Sequence, residues 1–392
     1  MGTGNSILSG QGTTVFETMS RLAAAHKAVN LGQGFPDDKG PEDMLALAAD
    51  KVVDGWNQYP PMMGLPELRQ AVAAHDERFY GIKADWQRNV MVTTGATEAL
   101  AASLLGLIEP GDEVVLIQPL YDAYAPMAQR AGAAVKVVGL QPPHWRIERE
   151  ALEAAFSDKT KLVLLNNPHN PTARLFDEGE LGLVAECCKR HDALALCDEV
   201  YEHICFDGRS LRPLMTFPGM EDRCVRIASA GKTFSLTGWK VGYITAPEHL
   251  LQPIAKAHQF LVFTTAPNLQ AAVAYGLNKE KSFFAELAAE MQRRRDRLSA
   301  GLDRLGFALL PCEATFFLNV DLEASPRLVP VEADEALDIA TCQALPEQTG
   351  VAAIPVSAFC VEQPVTNVLR LCFAKQDAVL DEALVRLAEA AA

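Results

Sequence analysis

Seven short apolar runs between residues 89 and 247 constrain the fold of this chain more than any other feature. Stretches with helical periodicity, such as TEALAASLLGLI and EGELGLVAECCKRH, lie between them. The runs are NVMVTT (89–94), EVVLIQ (113–118), AVKVVGL (134–140), KLVLLNN (161–167), ALALCDE (193–199), RCVRIAS (223–229) and VGYITAP (241–247). Their almost uninterrupted apolar character is typical of strands that are buried on both faces of a parallel sheet. The alternation predicts a layered α/β domain.

The last of these runs, VGYITAP, follows its predecessor after only a short segment. Two parallel strands of one sheet need a long connection between them, usually a helix, and this segment is too short to provide one. We therefore expect the strand at 241–247 to be antiparallel.

Beyond residue 280 the sequence pattern changes. SFFAELAAEMQRRRDRLSAGLDRLG (282–306) has the periodicity of a long amphipathic helix that ends at a glycine. After it come TFFLNVDL, the helix-like EADEALDIATCQAL, VAAIPVSAF, VLRLCF and a terminal helix, an α+β pattern. We therefore predict an N-terminal segment (1–45) that packs with the small domain, a large domain (46–280) and a small C-terminal domain (281–392).

Charge and cysteine usage argue against several classes of protein. The chain has 35 Lys and Arg against 50 Asp and Glu, a net charge of −15, whereas nucleic-acid binding demands a basic surface. No segment resembles a membrane span, and we expect no secretory leader. The nine cysteines form no CxxC pair, and the adjacent Cys187 and Cys188 do not suit paired metal ligands. These features predict a cytoplasmic protein with reduced thiols, no metal site, and no nucleic-acid or membrane partner.

Polar side chains follow four of the predicted strands at the point where each strand ends. These are Thr94 to Thr97, Asn166 to Asn170, Asp198 with Tyr201, and Ser229 with Lys232. In an open α/β sheet, ligands bind beyond the carboxyl ends of the strands. We therefore expect the functional site at this edge of the sheet.

Lys232 differs from an ordinary surface lysine, which lies in a charged and flexible neighbourhood. It follows the run RCVRIAS through a glycine, and its neighbours Ser229, Ala230 and Gly231 offer it no carboxylate. A lysine that is removed from water has a lowered pKa and becomes a nucleophile toward aldehydes. The position therefore favours covalent chemistry over a solvated charge.

The other polar groups at this edge have ordinary interpretations when each is taken alone. Asp198 would more often cap a helix or form a salt bridge, and TTGATEAL is more often a plain strand–turn–helix junction than an anion site. The alternative is a carboxylate that faces a cationic ring nitrogen, and a helix N-terminus that holds a phosphate. A lysine, a carboxylate, a phosphate cradle and an asparagine at one edge together fit pyridoxal 5′-phosphate.

A set of motifs, in a fixed order over nearly the whole chain, resembles a known family. They are LGQGFPD, QYPPMMGLPELR, TTGATEAL, YDAY, NNPHNPT, CDEVYEH, SAGKTFSLTGWKVGY and VLRLCF. The chain resembles the class I/II pyridoxal-phosphate aminotransferases, in particular the branch with kynurenine/glutamine transaminases and bacterial methionine aminotransferases. The resemblance implies the aspartate aminotransferase-like fold, with a mostly parallel seven-stranded sheet flanked by helices in the large domain and a smaller α+β domain. It also implies a homodimer with shared active sites.

The resemblance implies roles for individual residues. Lys232 matches the lysine that binds the cofactor covalently and moves the substrate proton, and Asp198 matches the partner of the pyridine nitrogen. Asn170 and Tyr201 match the groups that bind the ring hydroxyl oxygen, and we also expect Tyr201 to be catalytic. The other cofactor residues are Gly95, Ala96, Thr97, Ser229 and Lys240 at the phosphate, Tyr121 stacked on the ring, and Tyr59 from the neighbouring subunit. The predicted substrate residues are Arg370, which matches the clamp on the α-carboxylate, with Gly34, Phe16 and Asn170.

These parts imply a ping-pong transamination from an L-amino acid with an apolar or aromatic side chain to a 2-oxo acid. Methionine, glutamine and aromatic amino acids are the expected donors, and no second arginine is evident for a distal carboxylate. An apolar substrate pocket has as candidate residues Phe16, Tyr59, Tyr121, Phe263, Phe316 and Phe359. For Phe316 and Phe359 a plain core position is the simpler interpretation.

Other functions compete with this one. A cysteine-conjugate C–S β-lyase on the same fold would use the same lysine and release pyruvate without a 2-oxo acid, and an acyl-CoA-condensing synthase is a weaker rival. A non-catalytic ligand sensor would usually carry a DNA-binding module, for which these 392 residues leave no room. A nicotinamide dehydrogenase is disfavoured because the first strand–helix turn has no GxGxxG pattern.

Overall fold

The structure, a computed structural model, describes residues 4–326, 329 and 336–391. Its strands are β1 (Val29–Asn30), β2 (Val90–Thr93), β3 (Glu113–Gln118), β4 (Ala134–Gly139), β5 (Thr160–Asn166), β6 (Leu194–Asp198), β7 (Cys224–Ser229), β8 (Gly242–Thr245), β9 (Ala308–Leu309), β10 (Phe317–Asp321), β11 (Val351–Ala352), β12 (Ile354–Pro355) and β13 (Val368–Cys372). Its α-helices are α1 (Ser6–Ser9), α2 (Val15–Ala25), α3 (Glu42–Val53), α4 (Pro66–Tyr80), α5 (Trp86–Asn89), α6 (Gly95–Leu107), α7 (Tyr124–Ala131), α8 (Arg149–Ala155), α9 (Glu178–Arg190), α10 (Ala230–Thr233), α11 (Glu248–Leu261), α12 (Pro267–Leu277), α13 (Lys281–Arg304), α14 (Leu337–Thr349) and α15 (Asp377–Ala391).

The large sheet has seven strands in the order β2-β8-β7-β6-β5-β3-β4. Strand β8 is antiparallel to both of its neighbours, β2 and β7. The other four pairs are parallel. The predicted α/β layer, the mostly parallel seven-stranded sheet and the antiparallel strand within 241–247 are therefore confirmed. Helices fill the connections; α9, for example, starts with a capping box in which Asp177 and Glu180 bond each other's backbone amides.

Strand β4 differs from the prediction of a strand buried on both faces. Ala134, Lys136 and Gly139 are exposed, and only Val138 is fully buried. Among the strands that the structure describes, β4 pairs with β3 alone and lies at the edge of the sheet. An apolar run shows that the side chains of a strand are apolar, but it does not show how many strands pair with it. The sequence therefore did not reveal this edge position.

A second sheet has four strands in the order β12-β13-β10-β9, and all of its pairs are antiparallel. This sheet and the helices α13, α14 and α15 confirm the smaller α+β body. Strand β1 pairs in parallel with β11, so the N-terminal segment contacts the C-terminal part of the chain. The domain boundaries at residues 45/46 and 280/281 stay a prediction.

The helices of the C-terminal part follow the predicted pattern. The predicted long helix is α13, which has 24 residues and ends shortly before Gly306, a residue with a φ of +84°. The helix-like run 332–345 corresponds to α14, which begins at Leu337, and residues 332–335 lie outside the described part of the chain. Within the described residues, no helix combines the length and apolar character that crossing a membrane requires. The cytoplasmic location stays a prediction.

Candidate active site

The predicted site lies at the carboxyl edge of the large sheet. Strands β2, β5, β6 and β7 run in the same direction, so their ends meet at one edge, where a cavity opens. The cavity is lined by ten of the predicted residues: Gly95, Ala96, Thr97, Tyr121, Asn170, Asp198, Tyr201, Ser229, Lys232 and Lys240. Its lining is completed by Leu100, Tyr124, Asn166, Val200, Gly231 and Thr237. The structure therefore brings together most of the residues selected from the sequence.

Lys232 lies in the short helix α10, in the first turn after strand β7. Its Nζ donates to the backbone oxygen of Gly34 at 3.3 Å and lies 5.4 Å from the ring centre of Tyr201. The side chain is exposed only in part, within the cavity, and the surrounding protein lowers the pKa of Lys232 from 10.5 to about 8 by desolvation. An appreciable fraction of Lys232 is then a neutral amine near neutral pH, the form that attacks an aldehyde.

Asp198 is the last residue of strand β6, and its side chain is buried. Its Oδ2 accepts a hydrogen bond from the hydroxyl of Tyr124 at 2.6 Å, and its Oδ1 accepts one from the amide of Val200 at 3.3 Å. Burial raises the pKa of Asp198, and the two hydrogen bonds act in the opposite direction because they favour the carboxylate. A buried carboxylate of this kind is stabilised by a cation placed beside it.

The N-terminus of helix α6 faces Lys240. Gly95 has a φ of +77°, and a Cβ on it would come within 3.3 Å of Nζ of Lys240. Gly242 is packed more tightly still, because a Cβ there would lie 2.7 Å from a backbone carbon of Gly95. Glycine is required at both positions for this close approach. A helix N-terminus with a lysine against it provides the donors and the positive field that a phosphate needs.

Strand β13 carries Arg370 from the second sheet to the site. Its Nη1 donates to Oδ1 of Asn170 at 2.8 Å, its Nη2 donates to the backbone oxygen of Gly32 at 3.1 Å, and its Nε has no partner among the described residues. The guanidinium carbon lies 3.9 Å from the ring centre of Phe317 and 4.9 Å from that of Phe359. Burial lowers the pKa of Arg370 to about 10. A buried guanidinium whose partners are uncharged is costly, and an anion would stabilise it.

Of the remaining predicted residues, two lie beside this arginine and one does not. A Cβ on Gly34 would lie 3.7 Å from Nη2 of Arg370, and the ring centre of Phe16 lies 5.5 Å from the guanidinium carbon. Tyr59 is 81% exposed, lies outside the cavity lining and packs edge-on against Phe263 at 5.6 Å. Its predicted role in a neighbouring subunit stays a prediction.

The sequence did not select Tyr124, and it placed Asn166 at this edge of the sheet without a role. Asn166 donates from Nδ2 to the backbone oxygen of Asp198 at 2.9 Å and accepts from the amide of Asn170 at 2.7 Å, so it ties two strand ends together. In the register of the sheet Asn166 is paired with Asp198. A usable signal existed for Tyr124, which ends the YDAY motif three residues after Tyr121, a spacing that places both side chains on one side of a turn.

The residues present fit pyridoxal phosphate. They offer an amine of lowered pKa for its aldehyde, a buried carboxylate for its ring nitrogen, an amide for its ring hydroxyl, and a glycine-lined helix terminus with a lysine for its phosphate. Within the described part of the chain, Lys232 and Arg370 donate to uncharged oxygens only, and Nε of Arg370 keeps an unused donor. The fold and the site therefore define a pyridoxal-phosphate-dependent enzyme.

Residues 26–387 match the family Aminotransferase class I and II, and the chain belongs to this family. It is 41% identical to the methionine aminotransferase of Escherichia coli over 376 residues, which span 96% of this chain and 95% of that protein. It is 34% identical to kynurenine–oxoglutarate transaminase 3 of Homo sapiens over 401 residues, 96% of this chain and 88% of that protein. A solved structure of N-succinyldiaminopimelate aminotransferase from Mycobacterium tuberculosis matches with a TM-score of 0.94 and 42% identity, over 99% of this chain and 100% of that chain. The aminotransferase resemblance, the enzyme class and the aspartate aminotransferase-like fold are thereby confirmed.

Proposed function

We propose that this aminotransferase moves the amino group of an L-amino acid with a neutral apolar or aromatic side chain, or of glutamine, to a 2-oxo acid. The observation that carries the proposal is Arg370, a buried guanidinium whose partners are uncharged and whose faces lie against aromatic rings. The guanidinium of Arg370 can therefore bind one carboxylate. The cations among the described residues that line the cavity are Lys232 and Lys240, to which we assign the cofactor's aldehyde and its phosphate. A second carboxylate on the substrate would therefore lack a cationic partner among these residues.

The aromatic surroundings support the same class of substrate. The ring of Phe16 packs edge-on against Phe359 at 5.7 Å, and both lie within 5.5 Å of the guanidinium carbon of Arg370. Phe359 is 1% exposed and is a core residue, so a side chain attached beside the α-carboxylate would meet the partly exposed ring of Phe16 in front of it. Phe316 is fully buried against Tyr201, with ring centres 5.3 Å apart, and supports the site as a core residue.

We assign the chemical roles as follows. When bound, pyridoxal phosphate supplies a sink for the electrons that remain when the substrate loses its Cα proton. Nζ of Lys232 accepts that proton, which its lowered pKa of about 8 permits near neutral pH. Asp198 stabilises the positive charge of the ring nitrogen, while Asn170 and Tyr201 bind the ring hydroxyl oxygen. Arg370 holds the α-carboxylate through parallel hydrogen bonds and so fixes the direction of the Cα–H bond.

The substrate class is tested with a panel of amino donors and 2-oxo acid acceptors. We expect kcat/KM for methionine, glutamine and phenylalanine to exceed that for glutamate, aspartate and N-succinyldiaminopimelate by at least about tenfold, because an unpaired buried carboxylate is costly. A preference for any of the three acidic donors would overturn the neutral-substrate proposal and leave the aminotransferase assignment intact. Pyruvate released from a cysteine conjugate without any 2-oxo acid would reveal β-lyase activity in the same experiment.

We further propose that the protein is a homodimer. Four large apolar side chains are strongly exposed: Val53 (80%), Trp56 (76%), Tyr59 (81%) and Phe260 (83%). The contact between Tyr59 and Phe263 joins the two segments that carry them into one patch. Exposed apolar patches mark association surfaces, and two-fold symmetry is the commonest way to cover them. Sedimentation of the wild type should give a dimer, and Phe260→Asp should shift it toward the monomer.

A further inference from the structure

Charged side chains lie buried behind the site as well as in it. Arg226 on strand β7 is surrounded by three carboxylates, those of Asp76, Glu199 and Glu202, and all four residues are at most 3% exposed. We call these four residues the Arg226 cluster. None of them lines the active-site cavity.

Each carboxylate of the cluster accepts a hydrogen bond from a different nitrogen of the guanidinium. Nε of Arg226 donates to Glu199 at 2.6 Å, Nη1 donates to Asp76 at 2.7 Å, and Nη2 donates to Glu202. The planar, forked head of an arginine presents separate N–H donors in fixed directions, which suits this arrangement. The oxygens of Glu202 also accept from the hydroxyls of Tyr80 at 2.8 Å and Tyr243 at 3.2 Å. Glu202 is therefore fixed by three donors.

Two of these carboxylates belong to the segment that carries the proposed cofactor residues. In residues 198–202, Asp198 and Tyr201 line the cavity, whereas Glu199 and Glu202 bind Arg226. The third carboxylate, Asp76, lies on helix α4, outside this segment. One guanidinium thus holds the segment at two points, on the side away from the cavity.

The segment is a turn beyond the end of strand β6, and backbone bonds hold it as well as Arg226; the amide of Glu199, for example, donates to the backbone oxygen of Ile227 at 2.8 Å. Strand β6 ends at Asp198, and residues 199–213 belong to no helix or strand. The turn is closed by backbone bonds from the amide of Glu202 to Glu199 at 3.0 Å and from that of Ile204 to Tyr201 at 2.8 Å. Catalytic geometry is sensitive to displacements of about 1 Å. The side chains that anchor this turn therefore help to determine the orientation of the Asp198 and Tyr201 side chains.

We propose that Arg226 is a positioning residue, which fixes the turn 198–202 through Glu199 and Glu202 and thereby orients Asp198 and Tyr201 toward the cofactor. The proposal rests on the roles proposed above for Asp198 and Tyr201. Arg226 touches neither cofactor nor substrate in this scheme. Its effect reaches the site through the backbone of a single turn.

Two variants that each remove one carboxylate from the same guanidinium test the proposal. Glu202→Ala cuts an anchor of the turn, and Asp76→Ala cuts the anchor to helix α4. Either variant leaves Arg226 with two carboxylates, so no buried charge is stranded and both proteins are expected to fold. The thermal midpoint of each apoprotein measures the general loss of stability. The dissociation constant of pyridoxal phosphate and the pH midpoint of its visible absorption, which depends on the groups around the ring, measure the site.

We expect Glu202→Ala to raise the dissociation constant of the cofactor at least about tenfold, a ratio that corresponds to 1.4 kcal/mol, and to shift the pH midpoint. Asp76→Ala is expected to lower the thermal midpoint comparably while leaving both cofactor readouts near those of the wild type. Unchanged cofactor binding in folded Glu202→Ala, or an equal change in both variants, would overturn the positioning role. Either result is distinct from failure of the proposed function, which would appear in the wild type as absence of transamination.

Discussion

Nη1 of Arg370 donates a hydrogen bond to Oδ1 of Asn170 at 2.8 Å, and so joins two predicted ligand-binding residues that lie 200 positions apart. Because a cation occupies Oδ1, the amide of Asn170 is fixed with its Nδ2 donor turned to the other side. A donor suits the ring hydroxyl oxygen of the cofactor. The proposed substrate clamp and the proposed cofactor ligand are therefore coupled, and changing the arginine is expected to affect both.

Arg370→Lys tests this coupling. A lysine can supply neither the parallel pair of hydrogen bonds to a carboxylate nor a fork that also reaches Asn170. We expect kcat/KM to fall about a hundredfold for both amino acids and 2-oxo acids, the loss of one to two charge-assisted hydrogen bonds, while the cofactor stays bound with weaker affinity. The comparison substrate is an amine without a carboxylate. If the wild type uses such amines as well as it uses amino acids, Arg370 does not bind the carboxylate.

Lys232→Ala tests the assignment of the nucleophile and the proton acceptor. We expect turnover to fall by about a thousandfold or more, within the range for lost general acid–base catalysis, since among the described residues that line the cavity the one other amine is that of Lys240. Borohydride treatment of the wild type should fix the cofactor to the peptide that contains Lys232. Label on a different peptide, for example the one with Lys240, would show that the wrong lysine has been chosen.

Tyr124→Phe tests the support of Asp198. The change removes the 2.6 Å hydrogen bond to Oδ2, which favours the charged carboxylate, so the pKa of Asp198 should rise further. We expect kcat to fall about tenfold or more, and to fall more steeply at low pH than in the wild type. The matched control is Tyr275→Phe, which removes a tyrosine–aspartate bond of 2.9 Å to the exposed Asp43. Equal activity of the two variants would show that the hydroxyl of Tyr124 does not support Asp198.

Much of this site could be predicted from the sequence because neighbouring strands end at one edge. Lys232, Asp198 and the group at Asn166–Asn170 each follow an apolar run directly, and the parallel sheet then brings the ends together. Local pattern and one topological rule were sufficient for these residues. Arg370 was recognised in a different way, since the family resemblance identified VLRLCF whereas the α/β pattern ends before it.

The features that escaped prediction depend on partners far away in the chain. Arg226 lies 150 positions from Asp76, and the run RCVRIAS gives no sign that Arg226 binds buried carboxylates. The sequence predicts that Val135 and Val137 are buried, yet strand β4 is at the edge of the sheet, where one side has no neighbour among the described strands. Apolar periodicity records which face of an element is covered, but the identity of the covering element is decided by packing.

The buried Arg226 cluster should give stability a characteristic pH dependence. Burial raises the pKa of Glu199 from 4.5 to about 7, and the charge of Arg226 opposes this effect only in part. A raised pKa in the folded state means that the contribution of Glu199 to stability is complete below pH 4.5 and is lost as the pH rises through about 7.

Glu199→Gln should abolish that pH dependence, because the amide stays neutral at every pH, while keeping an oxygen for Nε of Arg226. Between pH 5 and 8.5 the wild type should therefore lose stability relative to the variant, by an amount on the order of a few kcal/mol. Thermal midpoints of both apoproteins across this range provide the measurement. A difference between the two proteins that stays constant with pH would show that Glu199 is ionised throughout.

The exposure of Tyr59 leads to a test of the shared active site. The side chain is 81% exposed, and its predicted partner is the phosphate bound to a neighbouring subunit. Inactive Lys232→Ala chains are mixed with chains of a Tyr59 variant that is itself severely impaired. If Tyr59 acts across the interface, each mixed dimer contains one site in which both residues are intact, while the other site carries both defects.

Activity should then reappear at roughly a quarter of the wild-type level per site, since half of the dimers are mixed and half of their sites are intact. If Tyr59 acts within its own chain, every mixed site keeps one defect and nothing is restored. Mass spectrometry or differential tagging verifies that mixed dimers have formed. Verified mixed dimers without recovered activity would reject a shared site, and the chemistry assigned to Lys232 would be unaffected because it depends on one subunit alone.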